Sequence, residues 1–212
     1  LDYIKKDRLK HKVSINVNNE KKYFYFNSNF ESDIKNLLAA VLIISIYKNI
    51  KKLDKNIFYN HKIPNGRGDI SKIKIFKKNI YLIDESYNSN PLSLKSALKN
   101  FDSMKINNAK KHIILGDMLE LGRHSKKLHK AISKNINDTS INNVNLIGKY
   151  MKDVYKIIHK SKRGLILKNN SEIINLIKND INNNDYLMIK GSNSTGLNKL
   201  TKDIKVGKIN AL

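Results

Sequence analysis

The 212-residue sequence has no cysteine, which excludes disulfides and thiolate metal sites and fits a reducing compartment. Long apolar runs are missing too. The longest, LLAAVLIISI from Leu37 to Ile46, is about half of the roughly 20 residues that cross a bilayer, and is expected to be a buried helix. No basic, apolar and small-residue leader opens the chain, so a cytoplasmic protein without membrane insertion is expected. Arginine is scarce: Arg8, Arg67, Arg123 and Arg163 are the four among 41 basic residues. Base reading and bidentate phosphate clamps favour arginine. The lysines that give the formal net charge of +23 are spread along the whole chain, amid many Asn and Ile residues with AT-rich codons. No specific nucleic-acid partner is therefore expected, only weak, salt-sensitive attraction to polyanions.

Several familiar chemistries are absent as well. Gly148-Lys149 has no glycine at the right distance before it and is followed by Tyr150, so there is no GxxxxGK[ST] phosphate loop. The histidines (His11, His61, His112, His124, His129, His159) show no metal spacing, and His124 and His129 are expected on a surface or in helix packing. There is no G-x-S-x-G elbow.

What is present is a globular composition, 40% hydrophobic and 28% charged, long enough for one large domain or two small ones. Residues 1 to about 30 alternate as strands do, in VSINV and YFYFN, and precede an apolar helix over Ile34–Tyr47 and a short helix over Asp54–Tyr59. KIPNGRGD, with Pro64, Gly66 and Gly68, reads as a linker. Beyond it strands and helices alternate. Strands are expected at 73–76, 80–83, 112–115, 144–147, 165–167 and 186–189, and helices at about 91–104, 126–134, 151–159 and 171–181. This is the pattern of an α/β fold with a mostly parallel sheet covered on both faces.

In such sheets ligands bind beyond the carboxyl ends of the strands, and three strand ends here are strongly polar. YLIDESYNSNP places Asp84, Glu85, Ser86, Tyr87 and Asn88 in a turn before a helix capped by Asn90 and opened by Pro91. Ser86 and Asn90 fit capping as well as binding, whereas a carboxylate, a phenol and an amide in a row at Glu85, Tyr87 and Asn88 favour a ligand. IILGDMLELG exposes Asp117 and Glu120 after Gly116, and LMIKGSNSTG ends in Lys190, Gly191, Ser192 and Ser194. Together these groups suit a zwitterionic or nucleotide ligand.

IDESYNSNPLSLKSAL, ILGDMLELGRHSKKLH and MIKGSNSTGL, in that order and spacing, resemble the Mur ligases of peptidoglycan synthesis, and among them the ligases that add D-alanyl-D-alanine to UDP-N-acetylmuramoyl-tripeptide. The usual forms are D-D-S-Y-N-A-N-P, G-D-M-x-E-L-G with a later His, and K-G-S-x-S; upstream, NLLAA and NGRGD resemble the end of the H-N-x-x-N-A-L-A-A helix and the G-R turn. The likeness covers about residues 30–200. It implies that residues 1–62 are the C-terminal remainder of a central ATP-binding domain and 63–212 a Rossmann-like C-terminal domain. The phosphate loop, the magnesium ligands and a carbamylated lysine would lie upstream; Leu1 in place of Met fits a piece of a longer chain.

By the same resemblance Asn36, Arg67, Glu85, Tyr87, Asn88 and Asn90 are expected on ATP: Asn36 at adenine, Arg67 at the phosphates, Glu85 at the ribose. Asp117, Lys190 and Ser192 are expected to hold the dipeptide. No catalytic nucleophile and no metal ligand is assigned within the 212 residues. Glu85 stands where the family has Asp, and Ser32-Asp33 where it has His-Asn. The implied reaction activates the tripeptide carboxylate as an acyl phosphate, which the dipeptide amine attacks. The partners are then UDP-N-acetylmuramoyl-tripeptide and D-alanyl-D-alanine, with ATP and Mg2+, acting on a monomer; the chain alone should not turn over ATP. The alternative is a stand-alone, non-catalytic α/β module that binds a nucleotide or polyanion.

Overall fold

The computed structural model describes residues 3–7, 10–28, 31–61 and 64–211, which form two compact units, Leu1–Lys62 and Ile63–Leu212. Lys62 and Ile63, at the boundary, lie outside the described residues, as do Leu1, Arg8 and Phe30, and no side-chain description extends to Ser32.

In the first unit β1 (Tyr3–Asp7), β2 (Lys10–Val17) and β3 (Glu20–Phe26) make an antiparallel sheet in that order. Asn18 and Asn19, both at positive φ, form the two-residue turn between β2 and β3, where short amides tolerate the left-handed conformation. Alternation turns Val13, Ile15 and Val17 to one face with Phe24 and Phe26. The helix α1 (Glu31–Tyr47) buries Ile34, Leu37 and Val41 against this face. The helix expected at Asp54–Tyr59 is instead a run of turns. The Asp54 carboxylate accepts the Asn56 N–H at 2.8 Å, an Asx-type bond that competes with helical pairing.

In the second unit β4 (Asp69–Ile75), β5 (Lys78–Glu85), β6 (Lys111–Gly116), β7 (Asn143–Ile147), β8 (Arg163–Leu167) and β9 (Tyr186–Lys190) form one sheet, ordered β4-β5-β9-β6-β7-β8. Only β4, at an edge, is antiparallel, so the sheet is the expected mostly parallel one. One face is covered by α2 (Pro91–Ser103), α3 (Ser125–Asn137) and α4 (Met151–Ile157), the other by α5 (Asn170–Asn179) and α6 (Leu197–Lys205). Leu94, Ala97, Leu98 and Phe101 show how α2 does this: at i, i+3, i+4 and i+7 they form one buried stripe. Each such leucine or phenylalanine contributes roughly 1.5–3 kcal/mol on burial. The helix α6 was not expected from the sequence. No helix among the described residues is long and apolar enough to cross a membrane.

Candidate functional site

The chain leaves β5 for α2 on one face of the sheet and leaves the neighbouring β9 for α6 on the other. Between strands whose helices diverge in this way a crevice opens at the carboxyl ends. Glu85 and Lys190, last residues of β5 and β9, are direct cross-strand neighbours there. The Lys190 ammonium, 1% exposed, donates to Glu85 Oε2 at 3.3 Å and to the Asn88 carbonyl at 3.0 Å. Burial lowers its pKa, a shift that Glu85 opposes and the Arg67 guanidinium reinforces.

Arg67 reaches the same place from the turn before β4. Gly68 N–H donates to the Asp84 carbonyl at 2.7 Å and Tyr87 N–H to the Gly66 carbonyl at 3.0 Å, so the NGRG segment runs along the end of β5. Gly66 is required: at φ +79, a Cβ would sit 2.9 Å from Tyr87 Cβ. The exposed Arg67 guanidinium lies 4.4 Å from the centre of the Tyr87 ring, itself 47% exposed. A cation, an accessible aromatic face and a carboxylate are thus grouped, which suits a nucleotide's phosphates, base or sugar hydroxyls. Such a grouping can bind and neutralise charge.

The third strand end is knitted from inside. Asp117, after β6, accepts N–H groups from Lys149 at 2.8 Å, Tyr150 at 3.1 Å and Met151 at 3.2 Å, capping α4 from a distance in sequence. Gly148, at φ +128, leaves it room, since a Cβ there would fall 2.4 Å from Asp117 Cγ. His129 is fully buried: its Nδ1 lies 2.7 Å from the Ser125 carbonyl, and its Nε2 accepts the Met118 N–H at 2.9 Å. These two partners define a neutral ring with the proton on Nδ1. Ser192 Oγ accepts the Leu119 N–H at 2.8 Å and faces the Ser89 carbonyl at 3.3 Å, tying the β6, β9 and β5 loops together.

The structure therefore brings Arg67, Glu85, Tyr87 and Lys190 into one cluster, joining residues expected on ATP to one expected on the dipeptide. Asn88 is exposed; its side chain accepts the Ser89 N–H and its carbonyl holds Lys190. Asn90 caps α2 in a reciprocal box with Ser93. Asp117 and Ser192 are buried with partners within the protein. Asn36 lies exposed on α1, in the first unit. His129, Gly148 and the buried Asp84 were not singled out as site residues. The later His of the G-D-M block was the one signal for His129. Among the described residues no three His, Cys, Asp or Glu side chains gather as a metal site.

The sequence matches the family described as Mur ligase, glutamate ligase domain, over residues 72–193. It is 30% identical over 165 residues to the UDP-N-acetylmuramoyl-tripeptide–D-alanyl-D-alanine ligase of Rickettsia prowazekii, covering 78% of this chain and 35% of that one. It is 35% identical over 133 residues to the ligase of the same name from Buchnera aphidicola of Acyrthosiphon pisum, covering 61% and 28%. The chain thus spans about a third of the length of these relatives. Its fold is similar to the MurF ligase of Thermotoga maritima solved with ADP, at TM-score 0.75 and 14% identity over 97% of this chain and 45% of that one. It also resembles a MurF structure from Acinetobacter baumannii, at TM-score 0.77 and 18% identity over 97% and 44%.

Proposed function

Because the chain belongs to the Mur ligase family, we propose that it is the C-terminal part of an ATP-dependent ligase that adds D-alanyl-D-alanine to UDP-N-acetylmuramoyl-tripeptide during cytoplasmic peptidoglycan precursor synthesis. The observation that carries this reading is the cluster of Arg67, Tyr87, Glu85 and Lys190 at the switch point of the sheet, in a chain whose curated relatives are UDP-N-acetylmuramoyl-tripeptide–D-alanyl-D-alanine ligases. In it, residues 1–62 are the end of the central ATP-binding domain and 63–212 the C-terminal domain of a monomeric enzyme.

Arg67 faces the ATP phosphates, Glu85 the ribose, and Tyr87, Asn88 and Asn90 the same cleft; Asn36, on α1, is assigned to adenine by the family likeness alone. Bound ATP supplies the phosphoryl group that activates the tripeptide carboxylate, with Mg2+ held by residues outside this chain. Asp117, Lys190 and Ser192 form the wall on the dipeptide side. Their internal bonds make that wall rigid, and rigid positioning with charge neutralisation is what amide formation from an activated carboxylate needs of this half of the enzyme.

The gene sequence upstream of the Leu1 codon tests the reading. An open frame encoding GxxGK[ST] and a later lysine on the nucleotide side supports it. A start codon directly before Leu1 removes the phosphate loop and favours a non-catalytic module for nucleotides or polyanions.

A further inference from the structure

The turn that carries Arg67 and the strand end that carries Glu85 and Tyr87 share one more link, which comes from the last helix. Lys205 Nζ lies 2.6 Å from Asp69 Oδ2 and 2.6 Å from Asp84 Oδ2. Each carboxylate passes the contact on with its other oxygen. Asp69 Oδ1 accepts the Gly66 N–H at 2.8 Å, inside the Arg67 turn. Asp84 Oδ1 accepts both the N–H and the hydroxyl of Ser86, at 3.1 and 2.5 Å, between Glu85 and Tyr87. One turn earlier on α6, the fully buried Thr201 hydroxyl stands 2.8 Å from Ser86 Oγ. Positions 201 and 205 lie on one side of the helix, so a single face grips both loops. Burial disfavours the Lys205 charge, but the hydrogen bonds to Asp69 and Asp84 outweigh it and raise the pKa.

The geometry points to α6 as a clamp that sets the distance between Arg67 and Tyr87, with Lys205 and Asp69 as positioning residues for the nucleotide side of the site. Neither residue needs to touch a ligand. Lys205 holds Asp69 and Asp84 together, Asp69 fixes the Gly66 amide, and the Arg67 guanidinium is thereby kept over the Tyr87 ring. The nucleotide role of that pair rests on the ligase reading above; the clamp itself does not.

Two variants separate the parts. Lys205→Met keeps the apolar stem and removes the bridge. Asp69→Ala leaves the Lys205–Asp84 pair in place and cuts the Asp69 links to Lys205 and to Gly66. In the 212-residue chain, amide hydrogen exchange at Gly66, Gly68 and Tyr87 is expected to quicken about tenfold in either variant, with the β6 and β7 amides unchanged. In the enzyme that contains this chain, the KM for ATP is expected to rise about tenfold while that for D-alanyl-D-alanine changes less than about twofold. Lys205→Arg, which keeps a cation, should recover part of the loss. Unchanged exchange at Gly66 and Tyr87 in Asp69→Ala overturns the clamp, as does an equal rise in both KM values. If the wild-type enzyme makes no amide product at all, the ligase reading fails, and the exchange data still decide whether the clamp exists.

Discussion

At the scale of single residues, Asp117 shows how a side chain that reads as a ligand contact becomes an internal fixture. Its three backbone donors belong to the turn into α4, 32 to 34 residues later in the chain. Asp117→Ala strands those N–H groups and should cost about 2–3 kcal/mol of stability, read as a fall in the urea midpoint. Gly148→Ala should cost at least about 2 kcal/mol, since it meets the same carboxylate and adds strain at positive φ. Gly122→Ala is the control, as a Cβ there meets nothing within 4 Å; it should pay only the left-handed strain, about 1–2 kcal/mol.

His112 gives the pH prediction at this scale. Its Nε2 lies 3.1 Å from Asp185 Oδ2, with both side chains almost fully buried. Burial lowers the His112 pKa below 6.5, and the nearby carboxylate only partly offsets it. The folded state therefore refuses a proton that the unfolded chain accepts. Stability tied to His112 is fully present above about pH 6.5 and shrinks as the pH falls below it. The stability advantage of wild type over His112→Gln should accordingly decline between about pH 7 and pH 5. An advantage that grew on acidification would mean an ion pair with a raised pKa instead.

At the scale of elements, the alternation of strands and helices was legible because each parallel strand is a short apolar run and α2 carries a cap, a proline and a stripe with one period. The helix α6 was not, since Gly196 gives it no side-chain cap and only Leu197, Leu200 and Ile204 mark its face. The turns after Asp54 were misread because local Asx bonds leave no trace in the hydrophobic period. The polar strand ends were legible as a site, but the pairing of Glu85 with Lys190 depends on β9 returning between β5 and β6, which no local pattern announces.

Asn90 lets capping and binding be separated within one element. Asn90→Ala should destabilise α2 by about 1 kcal/mol, whereas Asn90→Ser keeps an N-cap acceptor. If Asn90 also lines the nucleotide cleft, Asn90→Ser will keep wild-type stability and still weaken ATP binding; unchanged binding would reduce its role to the cap. The helix α1 carries a different signal: besides its buried face it exposes Leu42, Ile43, Ile46 and Tyr47. A helix apolar on both sides seeks cover. Sedimentation of the isolated chain should show concentration-dependent association, and Ile43→Gln with Ile46→Gln should abolish it.

At the scale of the whole molecule, the charge of +23 is the most conspicuous number and a poor guide to function. The groups at the strand ends form a built cluster, while the lysines are scattered over a chain of family-typical fold. Charge alone predicts binding to any polyanion that fades with salt. The ligase reading predicts a saturable response to one dipeptide.

The measurement that separates the two is amide formation by the complete enzyme encoded by this reading frame, given ATP, Mg2+ and UDP-N-acetylmuramoyl-tripeptide, with D-alanyl-D-alanine or a single amino acid as acceptor. ATP-dependent product is expected with D-alanyl-D-alanine, and little with D-alanine, D-glutamate or diaminopimelate alone. Product with a single amino acid in preference to the dipeptide, or no ATP-dependent product with any acceptor, would contradict it.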